Sequence, residues 1–67
     1  MSQFYISNDN ENDVRRCNES LTGRRSITIT GLNMDGQVGA FTGVVQSVEH
    51  DATRDKGRHY RVTILDN

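Results

Sequence analysis

The sequence predicts a mainly β fold, a small antiparallel meander of three to four strands. Ile27 and Ile29 alternate with serine and threonine, which is the period-two pattern of a half-buried strand. Asp35-Gly36 follows this segment, and a glycine there tolerates the positive φ of a tight hairpin turn. Residues 59–65, HYRVTIL, alternate again between polar and apolar side chains. These patterns indicate a hairpin and a further strand near the end of the chain.

The first 23 residues differ in character from the rest, and we divide the chain into an arm (1–23) and a β-meander domain (24–67). Residues 4–6, FYI, predict a short edge strand or a hydrophobic anchor. Residues 7–13, SNDNEND, contain no apolar side chain and predict a loop or a disordered segment. The arm can therefore contribute a fourth strand at its start.

The end of the arm has the spacing of a short helix over about residues 13–22. Three apolar residues fall on one helical face at i, i+3 and i+7: Val14, Cys17 and Leu21. Asn12 or Asp13 can cap its start, and Gly23 can end it. Isolated helices shorter than roughly 12–15 residues are marginal in water, so disorder is an equal alternative.

The hairpin at residues 34–36 sets the register of the first two strands. A three-residue loop closed by Gly36 places Ile29 opposite Phe41 and Leu32 opposite Val38. Both pairs are apolar, and such cross-strand pairs stabilise a sheet.

Residues 41–50, FTGVVQSVEH, allow two interpretations. Their apolar residues have helical spacing: Phe41, Val44, Val45 and Val48. Most of them are β-branched, however, and Gly43 interrupts the run, which favours a strand. A β-bulge at Gly43 shifts the phase of the strand, so that Phe41, Val44 and Val48 share one face. We predict the bulged strand, with a helix as the alternative.

The last strand fits this bent strand in one register. Tyr60, Val62 and Ile64 lie on one face, and Val62 pairs with Val48. A slip of one residue would turn every side chain to the other face. The chosen register also pairs His50 with Tyr60, Glu49 with Arg61, Ser47 with Thr63 and Val45 with Leu65. It leaves residues 51–59 as a long, polar, mobile hairpin loop.

The bent meander, residues 24–66, resembles part of a small SH3-like barrel or half-barrel. The resemblance is one of architecture, and it implies no activity.

The small size of the chain favours self-association. Its 67 residues form one domain at most, and a domain of this size buries only about 60% of the surface of its unfolded chain. The hydrophobic content is 33%, so the core of one copy is thin. Cys17 is the single cysteine, which excludes an internal disulfide, and no structural zinc spacing is present. We expect a homodimer, with a marginally stable monomer as the alternative.

We expect a cytoplasmic protein that contacts neither membrane nor small-molecule substrate. No apolar run approaches the roughly 20 residues that span a membrane. The N-terminal residues lack the basic start and apolar centre of a secretion signal. A lone cysteine fits a reducing compartment. The net charge is −1, so no overall field attracts nucleic acid or membrane.

The sequence predicts no enzyme, no cofactor and no metal site. It contains no phosphate-binding loop, nucleophile elbow or dinucleotide fingerprint. Cys17 has no histidine nearby in sequence to activate it, and its spacing makes it an apolar contact. His50 and His59, with Asp51 and Asp55, have ligand chemistry. The register places the two imidazoles apart, so we expect them not to converge.

We therefore predict a non-enzymatic module that binds a protein partner or itself. The candidate self-association residues are Phe4, Ile6, Val45 and Leu65, which can complete a core across a two-fold axis. The alternative is a nucleic-acid-binding barrel. Its candidate contacts lie in and beside the hairpin loop: Arg54, Lys56, Arg58 and Arg61.

Overall fold

The computed structural model describes residues 1–66, apart from the side chain of Asp55. In chain order the elements are β1 (Ser2–Ser7), α1 (Glu11–Gly23), β2 (Ser26–Leu32), β3 (Val38–Asp51), a short 3-10 element (Asp55–Gly57) and β4 (His59–Asp66). The four strands are antiparallel and close into a ring in the order β1, β2, β3, β4. The prediction of a mainly β fold built from an antiparallel sheet is confirmed.

Strand β1 closes the ring between the last strand and the second. Each of its residues pairs with β4, from Ser2 opposite Ile64 to Ser7 opposite His59. Its pairing with β2 is restricted to Tyr5 opposite Leu32. The ring therefore has one long seam, between β1 and β4, and one very short seam, between β1 and β2.

The first hairpin has the predicted register. Ile29 lies opposite Phe41, and Leu32 lies opposite Val38. The side-chain Oδ1 of Asn33 accepts hydrogen bonds from the backbone amides of residues 35 and 37, both at 2.9 Å. Gly36 has a φ of 84°, as the three-residue turn requires.

The bulge lies at a different residue from the one predicted. Strands β3 and β4 pair as predicted from Ser47 opposite Thr63 to His50 opposite Tyr60, but the register shifts between Val45 and Ser47. Val45 consequently faces Ile64, and the predicted pair with Leu65 is wrong. The predicted bulge would change the alternation of side chains before Val44, whereas the observed one changes it after Val45. Val45 therefore points into the core, where it is fully buried.

Gly43 has another role, which is to let two backbones approach each other. It has a φ of 154°, and a Cβ placed there would lie 2.1 Å from the carbonyl oxygen of Leu65. Strand β3 can cross β4 this closely only where a residue has no side chain.

Helix α1 is longer than predicted and has a different N-cap. Its N-cap is Asn10, whose side-chain oxygen accepts a hydrogen bond from the amide of Asp13. The helix continues through Gly23, and Arg24 takes the left-handed conformation, with a φ of 56°. The predicted N-caps Asn12 and Asp13 are therefore wrong, whereas the predicted helix is present and ends at Gly23 as expected.

Helix α1 is fixed to the sheet by polar as well as apolar contacts. It packs mainly against β3. The buried hydroxyl of Ser20 donates a hydrogen bond to the carbonyl of Arg25 and accepts one, at 3.0 Å, from the amide of Val45. The guanidinium of Arg16 donates to the carbonyl of Thr28 on β2, at 2.7 Å. These bonds hold the helix against both strands.

The core lies inside the ring and beneath α1. Its buried apolar residues are Phe4, Ile6, Cys17, Ile29, Val45, Val62 and Ile64. The rings of Phe4 and Phe41 stack with their centroids 4.4 Å apart. Strand β1 and helix α1 thus supply part of the same core as the meander, because three of these residues belong to them.

The turn between β3 and β4 is shorter than the predicted loop, because β3 runs to Asp51 and β4 starts at His59. Hydrogen bonds tie the described part of the turn to the rest of the chain. The amide of Asn8 donates to the carbonyl of Arg58 at 2.8 Å. The Nε2 of His50 lies 2.6 Å from the carbonyl oxygen of Gly57.

Over residues 1–66, no helix has both the length and the apolar character needed to cross a membrane.

Candidate functional site

Two of the four predicted nucleic-acid contacts lie next to Tyr5: Arg54 covers its ring, and Arg61 pairs with it across β1 and β4. The guanidinium carbon of Arg54 lies 4.1 Å from the centroid of the Tyr5 ring, which is a cation–π contact. The Nε of Arg54 is buried and has no hydrogen-bond partner within the described part of the chain. The Tyr5 hydroxyl donates to a carboxylate oxygen of Asp51, at 3.3 Å. Arg54 therefore covers one face of the Tyr5 ring.

Asp51 places negative charge beside these groups. Its carboxylate accepts hydrogen bonds from the hydroxyl and the amide of Thr53, at 2.7 and 3.0 Å. These bonds, and after them the bond from Tyr5, lower the pKa of Asp51. The carboxyl group is thus ionised at neutral pH, next to the cations of the turn.

The other basic residues of this region do not form a continuous positive surface. Arg61 donates to Glu49 at 3.2 Å, and this contact raises the pKa of the guanidinium. Lys56 and Arg58 are exposed on the turn. The structure brings Arg54 and Arg61 close to Tyr5, but acidic side chains accompany both.

The histidines do not converge on a metal site. The imidazole of His50 faces Tyr60, with ring centroids 5.8 Å apart. His59 lies edge-on to Tyr5, at 6.4 Å. Among the side chains that the structure describes, no group of three or more His, Cys, Asp or Glu could hold a metal ion.

Three of the four predicted self-association residues lie inside the single chain. Phe4 and Val45 have no exposed surface, and Ile6 is 3% exposed. Leu65 is the one that reaches solvent, at 47% exposure. The first three already complete the core of one copy, so a dimer of this folded chain must use other residues.

Cys17 is a core residue, as its spacing indicates. Burial raises the pKa of its thiol to about 11, and the nearby charge of Asp13 adds to this effect. A thiol with such a pKa is a poor nucleophile at neutral pH.

A concave surface of the molecule runs along the exposed side of α1. This α1 groove has a volume of about 550 Å³. It is lined by Asn8, Glu11, Val14, Arg15, Asn18, Glu19, Thr22 and Tyr60. Val14 and Tyr60 are half-buried and pack against the core, so they form a fixed apolar floor. The remaining side chains form a polar rim.

The charges of the rim are ordered along the helix. Glu11 lies in the first turn of α1, at one end of the groove. In the middle, Arg15 and Glu19 form an ion pair at 3.6 Å, and Arg15 also donates to the side chain of Asn12. At the far end an adjoining hollow of about 270 Å³ is lined in part by Arg25.

The sequence interpretation missed the α1 groove because it considered only the apolar face of the helix. A usable signal is present in the polar residues. Glu11, Arg15, Asn18 and Thr22 recur at spacings of three and four, so they share one face of a helix. The position of Tyr60 beside that face depends on how α1 packs, and no local pattern gives it.

Comparison with protein-family models, with curated proteins and with solved structures finds no match for this chain.

Proposed function

We propose that this chain is a non-enzymatic interaction module that binds protein through the α1 groove. The observation that carries the proposal is the fixed apolar floor of Val14 and Tyr60 within a polar rim. Protein interfaces have this composition, with an apolar centre, enriched in aromatic residues, and a polar periphery. A partner segment with one apolar anchor side chain fits such a groove.

The groove is also pre-organised, which favours binding. Arg15 is held by Asn12 on one side and by Glu19 on the other. Tyr60 is set by its place in β4 and by the edge contact with His50. Side chains that are already ordered lose less conformational entropy when a partner binds.

The side chains that could act in catalysis have structural roles instead, which supports a non-enzymatic module. Cys17 is buried as a neutral thiol. His50 lies against the carbonyl of Gly57. We also propose that the module works in the cytoplasm, where a single thiol stays reduced.

We propose further that the ring is an SH3-like barrel. The support is the long strand β3, whose first part pairs with β2 and whose later part pairs with β4. A strand that bends between two sheets in this way is how small barrels turn their corners. The irregularity after Val45 and the close approach at Gly43 lie where β3 changes partner.

A site-specific crosslink tests the proposed function. The photo-crosslinking amino acid p-benzoylphenylalanine replaces Asn18 in the groove, and in a control chain it replaces Gln37 on the exposed hairpin. We expect a defined protein adduct in the host cells from position 18 and none from position 37. The substitution Thr22→Arg, which fills the groove, should remove that adduct, whereas Met34→Arg on the hairpin should leave it.

Equal adducts from both positions, or an adduct that persists in Thr22→Arg, would show that the groove is not the binding site. The mass of the adduct identifies the partner as another protein or as a second copy of the chain.

Nucleic-acid binding by the turn between β3 and β4 is the alternative function. Its support is the exposure of Lys56 and Arg58 and the Arg54–Tyr5 stack. Asp51 and Glu49 oppose it, because both lie among these cations. We expect single-stranded and duplex oligonucleotides to show no binding at low salt. Affinity that falls steeply between two salt concentrations would instead establish phosphate-backbone contact.

A further inference from the structure

We infer that the α1 groove binds a second copy of this chain, with the two α1 helices antiparallel about a two-fold axis. The inference rests on the proposed function and adds to it the identity of the partner. It is carried by the order of charges along the groove.

The two ends of the groove carry opposite charge. Glu11 lines the end where α1 begins, and the exposed Asp9 precedes it. Arg25 lines the hollow where α1 ends, beside the exposed Arg24. Glu19 also lines this hollow, but it forms an ion pair with Arg15, so the two arginines leave this end with a net positive charge. An antiparallel second copy places the acidic end of each groove against the basic end of the other. A two-fold interface requires this kind of self-complementary surface.

The middle of the groove satisfies the same symmetry. Arg15 and Glu19 lie one helical turn apart on either side of the centre of α1. A two-fold axis near Cys17 and Asn18 places Arg15 of one copy beside Glu19 of the other. The ion pair within one chain can therefore be shared with the second copy without leaving an unpaired charge. A parallel arrangement would instead place like charges together.

The apolar floor and the available surface suit a small dimer. Val14 and Tyr60 of each copy remain half-buried in the single chain, and a second helix laid over them removes them from water. The 13 residues of α1 extend about 20 Å, at 1.5 Å per residue. A standard interface covers about 800 Å² of each partner. That area is roughly a fifth of the 4235 Å² surface of one chain.

Charge reversal tests the geometry through light scattering or sedimentation. We expect the unaltered chain to dimerise with a measurable dissociation constant. Glu11→Arg alone and Arg25→Glu alone should each raise this constant by roughly tenfold or more, because each change acts at both symmetric ends of the interface. Mixing the two variants should restore a dimer, since each supplies the charge that the other needs. The double variant Glu11→Arg/Arg25→Glu should also recover the dimer by itself.

One control variant carries the same charge change as Glu11→Arg outside the groove. Asp35→Arg lies in the hairpin turn and should not change the dissociation constant by more than about twofold, since exposed charges far from an interface contribute little. Circular dichroism checks that every variant is folded. Should a reversal prevent folding, the neutral changes Glu11→Gln and Arg25→Gln replace it, with a smaller weakening expected.

Several results would overturn the inference. A strict monomer at about 1 mM, where even weak complexes are populated, is one of them. A dimer that is insensitive to both reversals, or that neither the mixture nor the double variant restores, is another. The proposed function survives these results if the crosslink from position 18 joins a different protein, and it fails separately if that crosslink is absent.

Discussion

At the scale of single residues, Ser20 is the polar group on which the most structure depends. Its hydroxyl is fully buried and joins the end of α1 to the strand β3. Val45 is the last residue of β3 that is paired with β4 before the register shift, and its amide donates to the hydroxyl of Ser20. A buried amide without a partner is costly, so this side chain makes the irregular strand tolerable.

We expect Ser20→Ala to lower the free energy of unfolding by about 1–3 kcal/mol, because it leaves the amide of Val45 and the carbonyl of Arg25 without this partner. Urea denaturation measures the loss. Ser26→Ala, at an exposed strand start, is the matched control and should cost much less. Equal losses in the two variants would contradict the bridging role of Ser20.

The burial of Cys17 predicts a slow reaction of its thiol with alkylating reagents. Its pKa is raised from 9.0 to about 11 by burial and by Asp13, so at pH 8 the folded chain holds about 100-fold less thiolate than the unfolded chain. We expect alkylation by iodoacetamide to be slower in the folded protein by at least that factor. Rates measured with and without denaturant check this.

The raised pKa also sets the direction of a stability change. The neutral thiol favours the folded state fully below pH 9, and this contribution is lost as the pH rises through about 11.

Alkylation at equal rates in native and denatured protein would show that Cys17 is not held in the core.

At the scale of elements, the crossing of β3 and β4 depends on the absence of a side chain at Gly43. We expect Gly43→Ala to cost about 3 kcal/mol or more, the upper end for overpacking, because the new Cβ would overlap the backbone of β4. Gly36→Ala is the matched control. Gly36 also has a positive φ, but no atom lies within 4 Å of a Cβ placed there.

Gly36→Ala should therefore cost only about 1 kcal/mol, because alanine is strained in the left-handed backbone conformation but meets no neighbouring atom. Urea denaturation of both variants separates the steric effect from the conformational one. If Gly43→Ala were no more damaging than Gly36→Ala, the close crossing would be wrong.

The comparison of these elements with the sequence shows what local patterns can specify. The registers of Ile29 with Phe41 and of Val48 with Val62 followed from alternation, because a one-residue slip would have exposed every apolar side chain. The frequency of glycine in bulges predicts the bulge at Gly43. At the observed position, the amide of Val45 donates to the hydroxyl of Ser20, which lies 25 residues away. No local pattern contains that contact.

The candidate site illustrates the same limit. Alternation assigned Tyr60 to the inner face of β4, and the structure does pack it against the core. Tyr60 also borders the α1 groove. This position depends on how α1 packs across β3. Three of the four predicted self-association residues are core residues of the single chain for a related reason. The burial of Phe4 and Ile6 accompanies the pairing of β1 with β4, which no local pattern predicts.

At the scale of the whole molecule, the chain completes one core from all of its elements. Phe4 of β1, Cys17 of α1 and Val62 of β4 are all fully buried. A thin core in one small chain is consistent with the self-association that we propose, because the floor of the α1 groove remains partly exposed to water.

The long seam between β1 and β4 joins the first strand to the last. During synthesis, Phe4 and Ile6 leave the ribosome well before residues 59–66, which must cover them. The nascent chain therefore exposes these two apolar side chains until β4 has been synthesised and pairs with β1. Closure of the ring is a late event that requires contacts between residues far apart in sequence, and such contacts slow folding.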